Sequence, residues 1–160
     1  MSPRAACRLA ALGFTHVHDY VAGKVDWLAR NLPVEGTGAD TPTIGRHMRH
    51  DVVTAAIGDT VTDLHDRITR SRYDFALVTN AEGVLLGRLR GTALADTDPA
   101  RPVEEVMQPG PSTLRPHEPA ADVHARLEAR NLLHAIVTDP DGGLLGVIER
   151  NDLDRADPQR

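Results

Sequence analysis

An internal repeat constrains this chain more than any other feature. Residues 54–94 align without a gap onto residues 113–153 at a constant offset of 59. The matched pairs include Asp63/Asp122, His65/His124, Arg67/Arg126, Ala76/Ala135, Val78/Val137, Gly83/Gly142, Leu86/Leu145, Gly87/Gly146 and Leu94/Leu153. A chain that states one supersecondary unit twice is expected to pack the two copies as a closed pseudo-symmetric pair. The interface of such a pair is a natural place for a ligand.

Each copy reads in the order strand, helix, strand, strand, helix. In the first, Asp51–Thr54 is β-prone, and Gly58-Asp59-Thr60 is a turn whose Asp or Thr can cap a helix. Val61, Leu64 and Ile68 follow at helical spacing. Phe75-Ala76-Leu77-Val78 is an apolar run without alternation, which predicts a strand buried on both faces. A turn over Asn80–Gly83 leads to a second strand over Val84–Leu89, and a short helix follows from Thr92 or Ala93. The second copy has its short strand at Ser112-Thr113-Leu114 and its buried strand at His134–Thr138. Its returning strand is Leu144–Ile148, and its last helix starts at Asn151-Asp152-Leu153.

Composition excludes several functions. The chain has 160 residues and a formal net charge of −5, with acids and bases interspersed. That balance speaks against a long track along a phosphate backbone. Aromatic residues are only 3%, which removes the stacking platforms of single-strand binders; no nucleic-acid partner is expected. No apolar run approaches the length of a membrane span. Residues 1–7 lack the uninterrupted apolar stretch of a signal peptide. The one cysteine, Cys7, leaves no internal disulfide and fits a reducing compartment. The expected location is therefore the cytoplasm.

The doubled pattern resembles a known family. Phe75–Thr79, the turn with Gly83 and Leu86-Gly87 are echoed by His134–Thr138, Gly142 and the run Leu145–Leu153. Together they look like a tandem CBS domain pair (a Bateman module). The phrase Val103-Glu104-Glu105-Val106-Met107 fits the short helix ending in Met that precedes a second domain there. The resemblance implies a mixed α/β (α+β) fold: two pseudo-symmetric units of β-α-β-β-α order packed as a pair. Its expected bounds are 45–98 and 99–155, with a linker at 37–44. Residues 1–36 form an appendage that resembles the C-terminal end of a rhodanese domain. That likeness rests on Ser2, Ala5-Ala6, Leu9, Gly13-Phe14, Val17, Gly23, Trp27 and Leu32-Pro33. There a helix ending at Gly13, a short strand over Thr15–Tyr20 and a helix over Lys24–Leu32 are expected. Leu9, Leu12, Phe14 and Trp27 are expected to pack on the pair or on a partner subunit.

No catalytic constellation is legible: the chain has no nucleophile elbow, no P-loop and no CxxC. The expectation is a protein that is not an enzyme. A sulfurtransferase working through Cys7 would need the cysteine-bearing loop of the rhodanese family, which would lie before residue 1. Cys7 within a helix otherwise reads as a small buried hydrophobe. His16-x-His18 and His47-x-x-His50 could each share a face, but beyond Asp19 and Asp51 they lack a third ligand. They read as surface histidines, and no metal is expected.

The resemblance places its chemistry at the mouth of each unit. The family binds adenosine compounds through Gly-h-h-Thr/Ser-x-x-Asp, where the hydroxyl and a helix N-terminus receive phosphate and the Asp holds the ribose. In the second unit this reads Gly146-Val147-Ile148-Glu149-Arg150-Asn151-Asp152, with Glu149 in place of the hydroxyl and Arg150 beside it. In the first it reads Gly87-Arg88-Leu89-Arg90-Gly91-Thr92-Ala93, with the Asp lost and Arg90 in place of the hydroxyl. The implied site is the second unit's cleft, lined by Thr113, Leu114, His134, Ala135, Ile136, Arg150 and Asp152, with Arg90 able to attract an anion. Candidate ligands are AMP, ATP or S-adenosylmethionine. Asp152 can equally be a helix cap without a ligand. The functional expectation is a regulatory module that senses an adenosine-type nucleotide, or a related small anion, and relays it through a homodimer formed by the CBS helices to a protein partner. The alternative is an adaptor whose clefts are vestigial.

Overall fold

The structure is a computed structural model that describes residues 3–30, 32–37, 39–94 and 97–154. Of the positions used above, Met1, Ser2, Asn31, Gly38, Ala95, Asp96 and Arg155 lie outside the described residues. After two helices, α1 (Pro3–Ala11) and α2 (Gly23–Ala29), the chain runs through a short 3-10 helix at Ile44–His47. The first unit then comprises β1 (Val53–Ala56), α3 (Val61–Thr69), β2 (Phe75–Thr79), β3 (Leu85–Arg90) and α4 (Gly91–Leu94). A connecting helix α5 (Val103–Val106) and a short strand β4 (Gln108–Pro109) follow. The second unit comprises β5 (Thr113–Leu114), α6 (Ala120–Ala129), β6 (His134–Thr138), β7 (Leu144–Glu149) and α7 (Arg150–Asp154).

Two mixed sheets result, one ordered β1-β2-β3-β4 and one ordered β5-β6-β7. In each, the first strand runs parallel to the second and the second antiparallel to the third. The unbroken apolar run of β2 has a direct cause. Ala76 and Val78 face a core with Val61, Leu64, Ile68 and Leu89 of the same unit. Phe75 and Leu77 face the other way, into a core shared with Ile136 and Val147 of the second unit. Both faces of the strand are therefore covered, and no position is left for a polar residue.

The repeat sets the assembly as well as the parts. Leu85 N donates to Gly142 O at 2.9 Å, and its counterpart Leu144 N donates to Gly83 O at 2.9 Å. These reciprocal bonds mark the pseudo-twofold axis. The leading segments are exchanged across it. Arg49 and Val147 pair by two backbone hydrogen bonds of 2.8 and 2.9 Å, and Ile44 N donates to Glu118 O at 3.0 Å. In the other direction β4 joins β3, and Val103 N donates to Asp59 O at 2.9 Å. Ile44, fully buried, thus belongs to the core of the second unit, with Val123, Leu127, Val137 and Ile148.

The appendage departs from expectation in two ways, at Thr15–Tyr20 and at Cys7. Thr15–Tyr20 is not a strand, because no strand among the described residues offers it a ladder of hydrogen bonds. Helix α1 buries none of its residues, and Leu12 and Phe14 are 66% and 60% exposed. Cys7 is exposed, so it is not a core residue of this chain. Helix α2 does dock. A Cβ on Gly45 would lie 3.1 Å from Leu28 O, so the end of α2 abuts the exchanged segment. Trp27 meets Tyr20 edge-on at 5.2 Å and donates from Nε1 to Pro33 O at 2.8 Å.

Candidate functional site

The antiparallel registers bring the ends of β3 and β7 beside the starts of β2 and β6. Arg90 lies opposite Phe75, and Glu149 lies opposite His134. These four positions are equivalent in the repeat, and they meet between the units. The His134 ring lies 4.7 Å from Phe75 and 6.1 Å from Tyr73, centroid to centroid. Burial lowers the His134 pKa; Asp74 opposes this and Arg88 adds to it. His134 is therefore neutral at pH 7. Among the described residues the buried Tyr73 hydroxyl has no hydrogen-bond partner. Burial first, then the Glu149 carboxylate, push its phenol upward, so it stays protonated.

Two cavities open at this junction. One, of about 350 Å³, is lined on one side by Arg88, Arg90 and Gln108 and on the other by Leu114, Arg126, Arg130 and His134–Ile136. The other, of about 510 Å³, is lined by Arg72, Tyr73, Phe75, Arg88, Arg90, His134 and Glu149, among others. Arg88, Arg90, Leu132 and His134 are walls of both. Arg88 spends one Nη on Gln108 Oε1, at 3.1 Å, and its buried Nε has no partner among the described residues. Burial, and after it Arg90, pull the Arg88 pKa downward.

Of the eight residues expected to form a site, Arg90, Leu114, His134, Ala135 and Ile136 line the smaller cavity. The other three lie outside its lining. Thr113 accepts a hydrogen bond from Arg115 Nη1 at 3.1 Å, and Arg115 also holds Thr138. Arg150 is placed by its backbone, whose N–H donates to Leu133 O at 2.8 Å. Asp152 is bound by a guanidinium: Arg49 Nε and Nη2 reach its two carboxylate oxygens at 2.6 and 2.8 Å. Its carboxylate is the first cause that raises the Arg49 pKa.

The pseudo-symmetry accounts for this division. The positions 59 earlier than Asp152 and 59 later than Arg49 hold Ala93 and Gln108. One mouth of the pair therefore carries an ion pair, and its counterpart lacks both charges. Glu149 is held likewise, by Arg72 Nε at 2.5 Å and Nη2 at 3.1 Å, a fork that joins the two units. Sequence reasoning missed Arg49, Arg72 and Arg130. In the sequence the recurrence of Arg67 and Arg126 reads as duplication or a solvated face, whereas Arg126 lines the cavity and pairs with Glu118. Only the recurrence of Arg67 and Arg126 carried a signal. Among the described residues no group of three or more His, Cys, Asp or Glu is placed to hold a metal. No helix among them is long and apolar enough to cross a membrane.

With this geometry in hand, the CBS domain family model matches residues 44–95 and 103–158. No curated protein matches the chain. Among solved structures, it is similar to the CBS domains of a transcriptional regulator from Streptococcus pneumoniae. The TM-score there is 0.65, with 24% identity over 72% of this chain and 99% of that one. CBSX2 in complex with AMP gives a TM-score of 0.61 and 21% identity, over 71% of this chain and 94% of that one. The CBS domain pair of protein MJ0100, in complex with 5'-methylthioadenosine and S-adenosyl-L-methionine, gives 0.59 and 16%, over 72% and 95%. At these identities the likeness is one of fold.

Proposed function

The chain belongs to the CBS domain family, as a tandem pair, and from that premise we propose that it is a non-catalytic regulatory module. It senses an adenosine-type nucleotide, or a related small anion, in the cleft between its two units. The observation that carries this reading is the cavity that unites Arg90 with Leu114, His134, Ala135 and Ile136. A cationic rim over an apolar floor suits a phosphorylated nucleoside. The bound AMP of CBSX2 and the bound adenosine compounds of MJ0100 support the ligand class. S-adenosylmethionine fits this cavity least well, because its sulfonium would face arginines. Ligand binding between the units changes how they pack, and a homodimer built through the CBS helices passes that change to a protein partner.

The test is a thermal-shift series with AMP, ATP and S-adenosylmethionine. A ligand at a hundredfold its Kd stabilises by about 2.7 kcal/mol. The midpoint is expected to rise with AMP or ATP and to stay put in Arg90→Ala, whose unliganded midpoint is unchanged. Sedimentation with and without ligand reads the dimer. No shift with any nucleotide would favour the second reading, an adaptor with vestigial clefts. The observation behind that reading is the exposed pair Leu12 and Phe14, which follow the uncovered helix α1.

A further inference from the structure

The cleft has an asymmetry of charge that its nucleotide reading does not use. The 350 Å³ cavity is walled by four arginines, Arg88, Arg90, Arg126 and Arg130, and none of its lining residues among those described is acidic. Arg126 is answered by Glu118 and Arg88 by the neutral Gln108. Arg90 and Arg130 have no hydrogen-bond or ion-pair partner for their side chains among the described residues. A single phosphate brings at most about two charges to such a wall, whereas a chain of two or three brings three or four. Asp152, the carboxylate expected to hold a ribose, by contrast lines neither cavity. Asp152 is bound by both donors of Arg49, and the equivalent position in the first unit is Ala93.

We infer that the site selects its ligand by phosphate count and not by ribose: a nucleoside di- or triphosphate, with the phosphates on the four-arginine wall and the base in the adjoining 510 Å³ cavity beside Phe75 and His134. This rests on the nucleotide reading and narrows it. The shared walls Arg88, Arg90, Leu132 and His134 let one elongated ligand occupy both spaces. Tyr73 and Phe75 line only the larger cavity, and Arg126 and Arg130 only the smaller one, which sets the ligand's direction. Arg72, the other cation of the larger cavity, is neutralised by Glu149. Arg130 stands at the C-terminal end of α6, where it is exposed, so its removal tests charge without opening the core.

The experiment is a calorimetric titration of the full chain with ATP, AMP, adenosine and inorganic tripolyphosphate, repeated on Arg130→Ala and Asp152→Asn. ATP is expected to bind roughly tenfold or more tighter than AMP, one charge-assisted contact being worth about that factor. Tripolyphosphate should compete with ATP. Arg130→Ala should narrow the ATP-to-AMP ratio while AMP affinity holds, and Asp152→Asn should leave that ratio unchanged. Equal affinity for AMP and ATP, or loss of both on Asp152→Asn, would overturn the inference and leave the nucleotide reading standing. Binding of tripolyphosphate without any nucleotide would overturn the nucleotide reading instead, and with it the place given to the base. Silence from all four ligands would overturn both.

Discussion

At the scale of single residues, two glycines show what the repeat asks of the backbone. Gly146 and its counterpart Gly87 each lie where an exchanged segment crosses the sheet edge. A Cβ on Gly146 would come within 2.3 Å of Arg49 O, in a residue whose backbone is fixed by two hydrogen bonds to Val147. On Gly87 it would first meet Met107 Sδ at 2.4 Å, the flexible end of a side chain. Gly146→Ala is therefore expected to cost about 2 kcal/mol or more and Gly87→Ala clearly less, read by urea unfolding of both variants. Equal costs would mean that the close approach is not what these positions protect. Both glycines stand out in the sequence as family marks. Their reason is not legible there, because the contacting segments are far away in the chain.

His134 carries the second residue-scale prediction. Its pKa is lowered by burial between Phe75 and Tyr73, with Asp74 and Glu149 opposing and Arg88 and Arg90 reinforcing the shift. The unfolded chain takes up this proton near the usual histidine value of about 6.5, and the folded one only below it. The unfolded state thus binds more protons in that window, and stability falls as pH drops below about 6.5. His47 is lowered too, again by burial, and adds with the same sign. Stability measured at pH 7.5 and pH 5.5 should differ less in His134→Asn than in the parent. An unchanged difference would show that His134 does not contribute to it.

At the scale of elements, the sequence was most legible where one physical rule decided the outcome. Helix α3 begins where Gly58-Asp59-Thr60 points. Asp63 Oδ2 accepts from Thr60 N at 3.1 Å, and Thr60 Oγ1 accepts from Asp63 N at 3.4 Å, which closes a capping box. Thr60→Ala is expected to cost about 1 kcal/mol, measurable as a lower urea midpoint with an unchanged slope. The equivalent helix α6 starts after Pro119 and has no side-chain cap, so Pro119→Ala should change stability much less. Where the rule depends on a partner, reading failed. Thr15–Tyr20 alternates like a strand and finds no neighbour. Arg49 and Arg72 look like any surface arginines until the fold brings Asp152 and Glu149 to them.

At the scale of the whole molecule, a repeat in sequence is not a division in space. The two copies were legible from their offset, and so was the closed pair. The exchange of leading segments was not, because hydrophobic periodicity says that Ile44 and Val103 are buried but not against what. Ile44 stands before the first unit in the chain, yet it fills the second unit's core beside Val123, Leu127 and Ile148; Val103 fills the first unit's core beside Val61, Leu64 and Leu89. Each unit therefore completes the other, and neither core is whole if the chain is cut between them. Ile44→Ala removes a fully buried side chain and should cost about 2–5 kcal/mol. The discriminating measurement is hydrogen exchange resolved by segment. The exchange model expects protection to fall in β5, β6 and α6, some 70 to 90 residues downstream of the substitution, and to hold in β1, β2 and α3. Loss confined to the first unit would mean that the segment belongs to its own repeat and that the pair is two separable domains. Loss spread evenly over both would mean that the units unfold as one cooperative body, and that a ligand held between them acts on the stability of the whole.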